Sequence, residues 1–279
     1  MKLRQIKERV TGKASIDGAG VHLVRVLSRR NVENFDPFLM LDAFDSTNPE
    51  DYIKGFPLHP HRGIETVTYL IEGEIEHMDS LGNKGVITSG ACQWMTAGSG
   101  ILHQEMPQAS PRMLGLQLWV NLAAEKKMTD PAYRDITPDL VTKVEDETAA
   151  VAIVAGEYKG QHGGTKGEYI PVTFLDVTLK ADKEWTLPTR SDENLFVYII
   201  QGECAFADDT EQQQPKQAIL FTEGDTFKAY TETGARFILV SGKPLREPVA
   251  WGGPIVMNTQ AELKKAFDEL DEGTFIKNR

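Results

Sequence analysis

The chain has 279 residues, of which 41% are hydrophobic and 25% are charged, and its formal net charge at pH 7 is −11. This composition is typical of a folded protein, and the length suggests about two domains. The excess of acidic residues repels a phosphate backbone, so we expect no direct binding to nucleic acid. The basic pairs Arg29–Arg30 and Lys126–Lys127 are too short to change this and are interpreted as solvated surface.

The cysteines and the lack of long apolar runs indicate the cellular compartment of the protein. The two cysteines, Cys92 and Cys204, lie far apart and form no CxxC pair, so they provide no disulfide framework. This favours a reducing cytoplasm. The opening residues MKLRQIKERV lack the apolar segment of a signal peptide, and no apolar run approaches the ~20 residues that span a bilayer. We therefore expect a cytoplasmic protein without membrane contact, and we expect a monomer.

Strand signals dominate the chain. Apolar residues alternate with period two in residues 113–121, MLGLQLWVN, and again in residues 173–180, TFLDVTLK. Glycine-containing turn signals separate such runs, at Glu72-Gly73, Leu81-Gly-Asn83, Ala97-Gly-Ser-Gly100, Gln201-Gly202 and Glu223-Gly224. Many short strands at close spacing predict an all-β sandwich or barrel.

One helix is predicted near the C-terminus. Thr259 and Glu262 form a capping box, in which each side chain satisfies a free backbone N–H of the other residue. Leu263, Ala266, Phe267 and Leu270 then recur at helical spacing, and Gly273 occupies a C-terminal cap position. Residues 126–150 show weak apolar periodicity and contain two X-Pro pairs, so they are predicted to be a linker.

An internal repeat relates two parts of the chain. Residues 66–74, TVTYLIEGE, match residues 195–203, LFVYIIQGE, and residues 94–98, WMTAG, match residues 220–224, LFTEG. Two similar β modules in tandem are the simplest account. We therefore predict an N-terminal domain at residues 1–125, the linker at 126–150, and a C-terminal domain at 151–279 that ends in the helix.

Two pairs of side chains indicate a metal site. His59 and His61 lie two positions apart, as do His103 and Glu105, and side chains at i and i+2 of a strand project to the same face. Pro60 between the first two histidines is tolerated at the start of a strand. Three imidazoles and one carboxylate suit Fe(II), Mn, Ni, Cu or Zn and argue against a calcium site. On an octahedral metal these four ligands leave two positions for substrate or dioxygen.

The alternatives to this ligand set are part of the prediction. A lone H-x-H often lies on the protein surface and binds nothing. Here, however, the two pairs hold half of the six histidines of the chain. Glu65 competes with Glu105, because it lies four residues after His61 and hence on the same strand face. It can instead orient an imidazole N–H. The remaining histidines are interpreted as non-ligands: His22, His77 and His162.

The repeat provides an internal comparison for the metal site. It maps the four candidate ligands to Pro188, Arg190, Ala229 and Thr231, which we place in the interior of the C-terminal module. None of the four is a metal ligand, and the guanidinium of Arg190 would repel a divalent ion. We therefore predict that the second module holds no metal.

Three segments give the chain a resemblance to a known family. Residues 55–69, GFPLHPHRGIETVTY, resemble the first cupin motif of the pirin family, and residues 94–105, WMTAGSGILHQE, resemble its second. Residues 253–260, GPIVMNTQ, resemble its C-terminal signature. The resemblance spans essentially the whole chain and implies two jelly-roll cupin barrels, with one metal, usually iron, in the first. It also implies the ligands His59, His61, His103 and Glu105, and so favours Glu105 over Glu65. Leu58 departs from the polar residue that is common there.

The resemblance implies two activities. Some pirins are quercetin 2,3-dioxygenases, and others are nuclear, iron-dependent transcription cofactors that bind a protein partner. We expect the enzyme, with one Fe(II) per chain, a flavonol and dioxygen as substrates, carbon monoxide as a product and Glu105 as general base. The alternative is an iron-binding regulatory protein that acts through a protein partner. The apolar residues near the ligands are predicted to wall the pocket: Phe56, Leu58, Met95 and Leu102.

Overall fold

The computed structural model describes residues 1–277, and strands make up most of its regular structure. The first twelve strands, numbered in chain order, are β1 (Ile6–Thr11), β2 (Lys13–Asp17), β3 (Val21–Leu27), β4 (Phe38–Ser46), β5 (Phe56–His61), β6 (Ile64–Glu72), β7 (Glu74–Asp79), β8 (Lys84–Thr88), β9 (Cys92–Thr96), β10 (Ile101–Pro107), β11 (Met113–Asn121) and β12 (Ala132–Ile136).

The later strands are β13 (Thr142–Glu145), β14 (Ala149–Ala155), β15 (Glu157–Tyr158), β16 (Gln161–His162), β17 (Val172–Leu179), β18 (Lys183–Pro188), β19 (Asn194–Gly202), β20 (Ala205–Phe206), β21 (Gln217–Phe221), β22 (Thr226–Thr231), β23 (Ala235–Gly242), β24 (Ala250–Gly252) and β25 (Ile255–Met257). The α-helices are α1 (Val32–Phe35) and α2 (Gln260–Asp271), and short 3-10 helices occur at Arg29–Asn31, Pro49–Asp51 and Ala124–Lys126. Within residues 1–277, no helix combines the length and the apolar character that crossing a membrane requires.

The chain divides into two compact units that are each discontinuous in sequence. The unit that we call the N-terminal barrel contains Ala14–Val32, Phe38–Pro138 and the residues from Leu245 on. The C-terminal barrel contains Met1–Lys13, Glu33–Pro37 and Asp139–Pro244. The linear boundaries expected from the sequence, 1–125, 126–150 and 151–279, do not coincide with these units. Strand pairing, rather than order along the chain, decides where a terminal segment packs.

The sheets of the two barrels are equivalent. The N-terminal barrel contains a seven-stranded sheet in the order β12-β9-β6-β11-β4-β3-β2 and a four-stranded sheet in the order β5-β10-β7-β8. The C-terminal barrel contains β1-β21-β19-β23-β17-β14-β13 and β18-β22-β20. The repeated segments are β6 with β19 and β9 with β21, and β1 takes the edge position that β12 takes in the other barrel. The predicted all-β fold with two repeated modules is confirmed.

Strands β12 and β13 lie inside the segment that the sequence indicates as a linker. Each is the terminal strand of a seven-stranded sheet, paired on one side only, β12 with β9 and β13 with β14. Most of their side chains are exposed or half-buried. An edge strand of this kind buries few apolar groups, which explains why residues 126–150 show little apolar periodicity.

Aromatic rings fill the interior of the C-terminal barrel. Neighbouring rings have centroids between 5.1 and 6.4 Å apart, and the set comprises Trp185, Phe206, Phe221, Phe227 and Phe237. This packing supports the prediction that the module holds no metal, which stays a prediction.

Two of the four positions assigned to the interior of the second module are misplaced. Pro188 is exposed, and the side chain of Arg190 is 72% exposed beyond the end of β18. The inward residues of β18 are instead Trp185 and Leu187, because the repeat alignment does not preserve the strand register. Ala229 and Thr231 are buried as expected.

Helix α2 agrees with its sequence signals. Thr259 is the N-cap, its side chain accepts from the backbone N–H of Glu262, and the reciprocal bond from the Thr259 backbone N–H to the Glu262 carboxylate is 2.9 Å. Gly273 follows the helix with φ of +69°, a backbone conformation that glycine adopts without strain. Leu263 and Ala266 are buried, whereas Phe267 is 38% exposed.

The second basic pair does not form a solvated surface. Lys126 is exposed, but Lys127 is 1% exposed. The Lys127 ammonium donates to the carbonyl oxygen of Gly63, to Asn121 Oδ1 and to the carbonyl oxygen of Val256, at 2.7 to 3.1 Å. Three acceptors satisfy the three N–H donors of a lysine, so this residue is a buried cross-link that composition does not reveal.

Candidate metal centre

Two adjacent strands bring the predicted ligands together. Strand β5 carries His59 and His61, β10 carries His103 and Glu105, and the two strands are antiparallel with His59 directly opposite His103. A bulge then shifts the register between His103 and Glu105. Pro60 is tolerated between the histidines because β5 is an edge strand of its sheet.

Three imidazole rings converge inside the N-terminal barrel. One ligand atom from each of His59, His61 and His103 lies within 4.8 Å of the other two. The ring centroids are 4.4 to 5.0 Å apart. Among residues 1–277, this is the one group of three or more histidine, cysteine or acidic side chains with ligand atoms so close.

The outer nitrogen of each ring has a partner that fixes the direction of the inner nitrogen. The Nδ1 atoms of His59 and His61 lie 2.8 Å from the carbonyl oxygen of Pro57 and 3.1 Å from that of Pro254. Because a carbonyl oxygen only accepts, both Nδ1 atoms carry a proton, and the Nε2 atom of each ring is the one that faces inward. The Nδ1 of His103 lies 3.4 Å from the Tyr133 hydroxyl.

The inner nitrogens fit a cation. The Nε2 atoms of His59 and His61 are 3.0 Å apart, so two lone pairs there would repel each other without a proton or a metal ion between them. The buried Nε2 of His103 has no hydrogen-bond partner, although buried polar atoms are normally paired. A metal ion bound by the three Nε2 atoms would satisfy all of them, and the hydrogen bonds at the Nδ1 atoms would orient the rings toward it, as is usual for metal-binding histidines.

Burial keeps two of the rings neutral. Desolvation, and then the neighbouring His59, lowers the pKa of His61 from 6.5 to about 3. Desolvation, followed by His61 and His59, lowers the pKa of His103 well below its ordinary value. A neutral imidazole is the form that binds a metal, so both rings are ready to do so at neutral pH.

Glu105 projects into the barrel interior from the same strand as His103 but lies outside the three-histidine group. Its carboxylate is buried, and Oε1 accepts from the Thr68 hydroxyl at 3.0 Å while Oε2 accepts from the Gln117 amide at 2.8 Å. Thr68 and Gln117 belong to the opposite sheet, on β6 and β11. A carboxylate has about four acceptor sites, so these two bonds leave lone pairs for a metal.

Glu65 points away from the histidines. A glycine turn at Gly63, with φ of +78°, separates β5 from β6. Glu65 and His61 therefore lie on different strands, and the expectation that they share a strand face is wrong. Glu65 and Thr68 lie at odd and even positions of β6 and hence on opposite faces. The buried Glu65 carboxylate accepts from the Thr96 hydroxyl at 2.7 Å, and burial raises its pKa.

The other three histidines lie outside the ligand group. His22 and His162 have exposed side chains beside Asp51 and Glu157. His77 is 5% exposed and stacks on Tyr133 with centroids 5.5 Å apart. Burial lowers the pKa of His77, and neither of its ring nitrogens has a hydrogen-bond partner.

A cavity of about 460 Å³ opens onto His59 and His61. This volume lies in the range of pockets that hold small organic ligands. One side is aromatic: Trp119 contacts the His61 ring with centroids 5.0 Å apart, and Trp251 lies 5.7 Å from Trp119. The lining also includes the charged residues Asp17, Arg25 and Asp42.

Among the charged residues of the cavity lining, Arg25 forms ion pairs with both Asp17 and Asp42. Arg25 donates to both oxygens of Asp42, at 2.9 and 2.7 Å, and to Asp17 at 2.6 Å. The hydrogen bond to Asp42 is the largest cause that raises the pKa of Arg25, and the Asp17 carboxylate raises it further. Arg29 lies 5.5 Å from the Trp251 ring centroid, a cation–π contact.

Sequence reasoning found part of the surroundings of the histidines. Of the expected pocket walls, Phe56 lines the cavity, whereas Leu58 is 59% exposed and Met95 belongs to the hydrophobic core. Leu102 is half-buried and does not line the cavity. Gln117 and Trp119 were missed, since the alternating leucines of β11 mark the opposite face of that strand.

Two family models match the chain. A model described as pirin matches residues 20–120, and a model described as the pirin C-terminal cupin domain matches residues 174–276. The chain belongs to the pirin family. A pirin-like protein from Caulobacter vibrioides is 41% identical over 278 residues, which cover 99% of this chain and 100% of that protein.

Two further pirin-fold proteins carry an activity in their names. A Pseudomonas aeruginosa protein, provisionally named a quercetin 2,3-dioxygenase, is 40% identical over 280 residues and covers 98% of each chain. The crystal structure of a quercetin 2,3-dioxygenase from Acinetobacter baumannii matches with a TM-score of 0.90 and 30% identity, and covers 98% of each chain. The predicted pirin resemblance and the two cupin domains are thereby confirmed.

Proposed function

We propose that this pirin is a metal-dependent dioxygenase that opens the central ring of a flavonol such as quercetin and releases carbon monoxide. The observation that carries the proposal is the convergence of three imidazoles, two of them held neutral by burial, beside a cavity with an aromatic wall. The named activities of the Pseudomonas and Acinetobacter relatives support the substrate class.

The proposed ligands of one divalent metal per chain are His59, His61, His103 and Glu105. We propose Fe(II) as the native metal, and Mn, Ni, Cu or Zn as ions that the same set would accept, since affinity alone does not select among them. A metal held here supplies Lewis acidity, which lowers the pKa of a hydroxyl group bound to it.

The residues around the proposed ligands have separate tasks. Glu105 accepts the proton of the substrate hydroxyl and thus acts as general base. Thr68 and Gln117 both donate to the Glu105 carboxylate, so they orient it. Trp119 and Trp251 offer flat faces to an aromatic ring and exclude water from one side of the cavity.

An assay of iron-loaded protein with quercetin tests the proposal. We expect oxygen uptake and carbon monoxide release in equal amounts, and a loss of about a hundredfold or more in the Glu105→Gln variant, which cannot act as a base. The His22→Ala variant is the matched control, because His22 is exposed and lies outside the ligand group. Background turnover by the wild-type protein would reject the dioxygenase and favour an iron-binding regulatory protein with a protein partner.

The cytoplasmic location and the monomeric state that the sequence suggests stay predictions. Size-exclusion chromatography with light scattering measures the oligomeric state directly.

A further inference from the structure

The last part of the chain packs on the residues that follow His61. We call residues 250–276 the C-terminal segment; it comprises β24, β25, α2 and the residues after α2, among them Phe275. It forms a compact apolar cluster with members such as Ile255 and Leu263, and it belongs to the N-terminal barrel. It contains the sequence signature GPIVMNTQ at residues 253–260.

One backbone carbonyl of this segment fixes a proposed ligand. The Pro254 carbonyl accepts from His61 Nδ1 at 3.1 Å, which commits the lone pair of that ring to Nε2. Pro254, Gly253 and Trp251 also line the cavity. The orientation of His61 and one wall of the cavity therefore both depend on where the C-terminal segment lies.

Arg62, the neighbour of His61, holds that segment in place. Its guanidinium is 2% exposed and donates to the Ser99 carbonyl at 2.7 Å, to Glu269 at 2.7 Å and to the Phe275 carbonyl at 2.8 Å. The guanidinium carbon lies 4.1 Å from the centroid of the Phe275 ring. Ser99 belongs to the turn before β10, whereas Glu269 and Phe275 belong to the C-terminal segment.

The backbone beside Arg62 makes a second connection. The Val256 N–H donates to the Arg62 carbonyl at 3.1 Å, and a Cβ atom at Gly63 would collide with the Val256 carbonyl oxygen. Lys127 connects the same two segments of the chain, because its ammonium donates to the carbonyl oxygens of Gly63 and Val256. Residues 62 and 63 thus contact the C-terminal segment through side chain and main chain, directly after His61.

We propose that docking of the C-terminal segment and metal binding are thermodynamically coupled, and that Arg62 is a positioning residue that acts through Pro254 and His61. The inference rests on the proposed metal site and is independent of the proposed reaction. Coupling is reciprocal: if docking strengthens metal binding by a given factor, the metal strengthens docking by the same factor.

Two adjacent acidic residues of α2 allow a matched test. Glu269 binds Arg62, whereas Asp268 is exposed and binds Lys264 on the same helix. Full-length Glu269→Gln and Arg62→Lys variants should bind Co(II) about tenfold more weakly than the wild-type protein. Removal of a residue that helps to orient a metal ligand usually weakens metal binding by this factor or more. Asp268→Asn should bind like the wild type. Competition with a chelator gives the affinities, and the visible Co(II) spectrum reports the ligand geometry.

Hydrogen exchange provides a readout that needs no activity. Saturating Co(II) should slow exchange of the amides of α2 by about tenfold in the wild-type protein, and by less in Glu269→Gln. Unchanged exchange on metal addition, with unchanged affinity in both variants, would overturn the coupling. Equal weakening in Asp268→Asn and Glu269→Gln would also overturn it, because the effect would then be general to the helix. A wild-type protein that binds no Co(II) would overturn both this inference and the proposed metal site.

Discussion

The amide of Gln117 donates to Glu105 Oε2 at 2.8 Å, and this bond crosses the barrel interior from β11 of one sheet to β10 of the other. The same amide nitrogen also lies 3.2 Å from the Thr68 hydroxyl. The buried Glu105 carboxylate is therefore held from the opposite sheet by two neutral donors, Gln117 and Thr68.

Replacing Gln117 by Leu should destabilise the metal-free protein by about 1–3 kcal/mol, because it leaves a buried carboxylate oxygen without its donor. Urea unfolding measures the change. Gln104→Leu is the control: Gln104 neighbours Glu105 on β10, is half-buried and points to the other face, so we expect a change within about 0.5 kcal/mol. Equal effects in the two variants would contradict the role of Gln117.

Each of the three histidines should be necessary for metal binding. We expect His103→Ala to weaken Co(II) or Fe(II) binding by about a hundredfold or more, since its buried Nε2 has no partner other than a bound ion. His162→Ala, at a side chain that is 77% exposed, should bind as the wild type does. Metal analysis of dialysed protein measures both, and full metal content in His103→Ala would reject the site.

The stability of the metal-free protein should depend on pH through His61. Its pKa is about 3 in the folded state and near 6.5 when exposed, so between these values the unfolded state binds more protons. Stability therefore rises with pH across this window, by about 1.4 kcal/mol per pH unit, and becomes flat above 6.5. Urea unfolding between about pH 4 and 7 should show a smaller slope in His61→Gln than in the wild type. Identical slopes would show that His61 is not buried as a neutral ring.

Lys127 and Lys126 should respond differently to the same substitution. Lys127→Met leaves three buried oxygens without a donor, and we expect a loss of about 2 kcal/mol or more. Lys126→Met removes an exposed charge and should change stability by less than about 0.5 kcal/mol. Thermal or urea unfolding of the two variants, measured side by side, tests the difference; equal losses would mean that Lys127 is solvated.

Local patterns in the sequence predict the strands that carry the histidines, because two side chains at i and i+2 share a face whatever the rest of the fold does. The same holds for the capping box of Thr259 and Glu262. By contrast, the face of Glu65 depends on a turn at Gly63, whose effect on strand parity is not visible in the spacing from His61.

Contacts between distant parts of the chain escape this kind of reasoning. The partner of His61 Nδ1 is the carbonyl of Pro254, 193 positions away, and a backbone carbonyl leaves no mark in the sequence. The burial of Lys127 depends on two backbone carbonyl oxygens, of Gly63 and Val256, and on the side-chain oxygen of Asn121. Likewise, nothing in residues 6–11 says which barrel β1 joins.

Residues 1–13 belong to the C-terminal barrel and residues from Leu245 on belong to the N-terminal barrel. This arrangement determines the order in which the two barrels can be completed during synthesis. Residues 38–138 are translated before the residues of the C-terminal barrel, yet their own barrel lacks α2, the Pro254 carbonyl and the acceptors of Arg62 until residues 250–275 have been translated. The C-terminal barrel uses β1, which is translated before its other strands. The C-terminal barrel can therefore close before residues 250–275 are translated, and the N-terminal barrel closes after them.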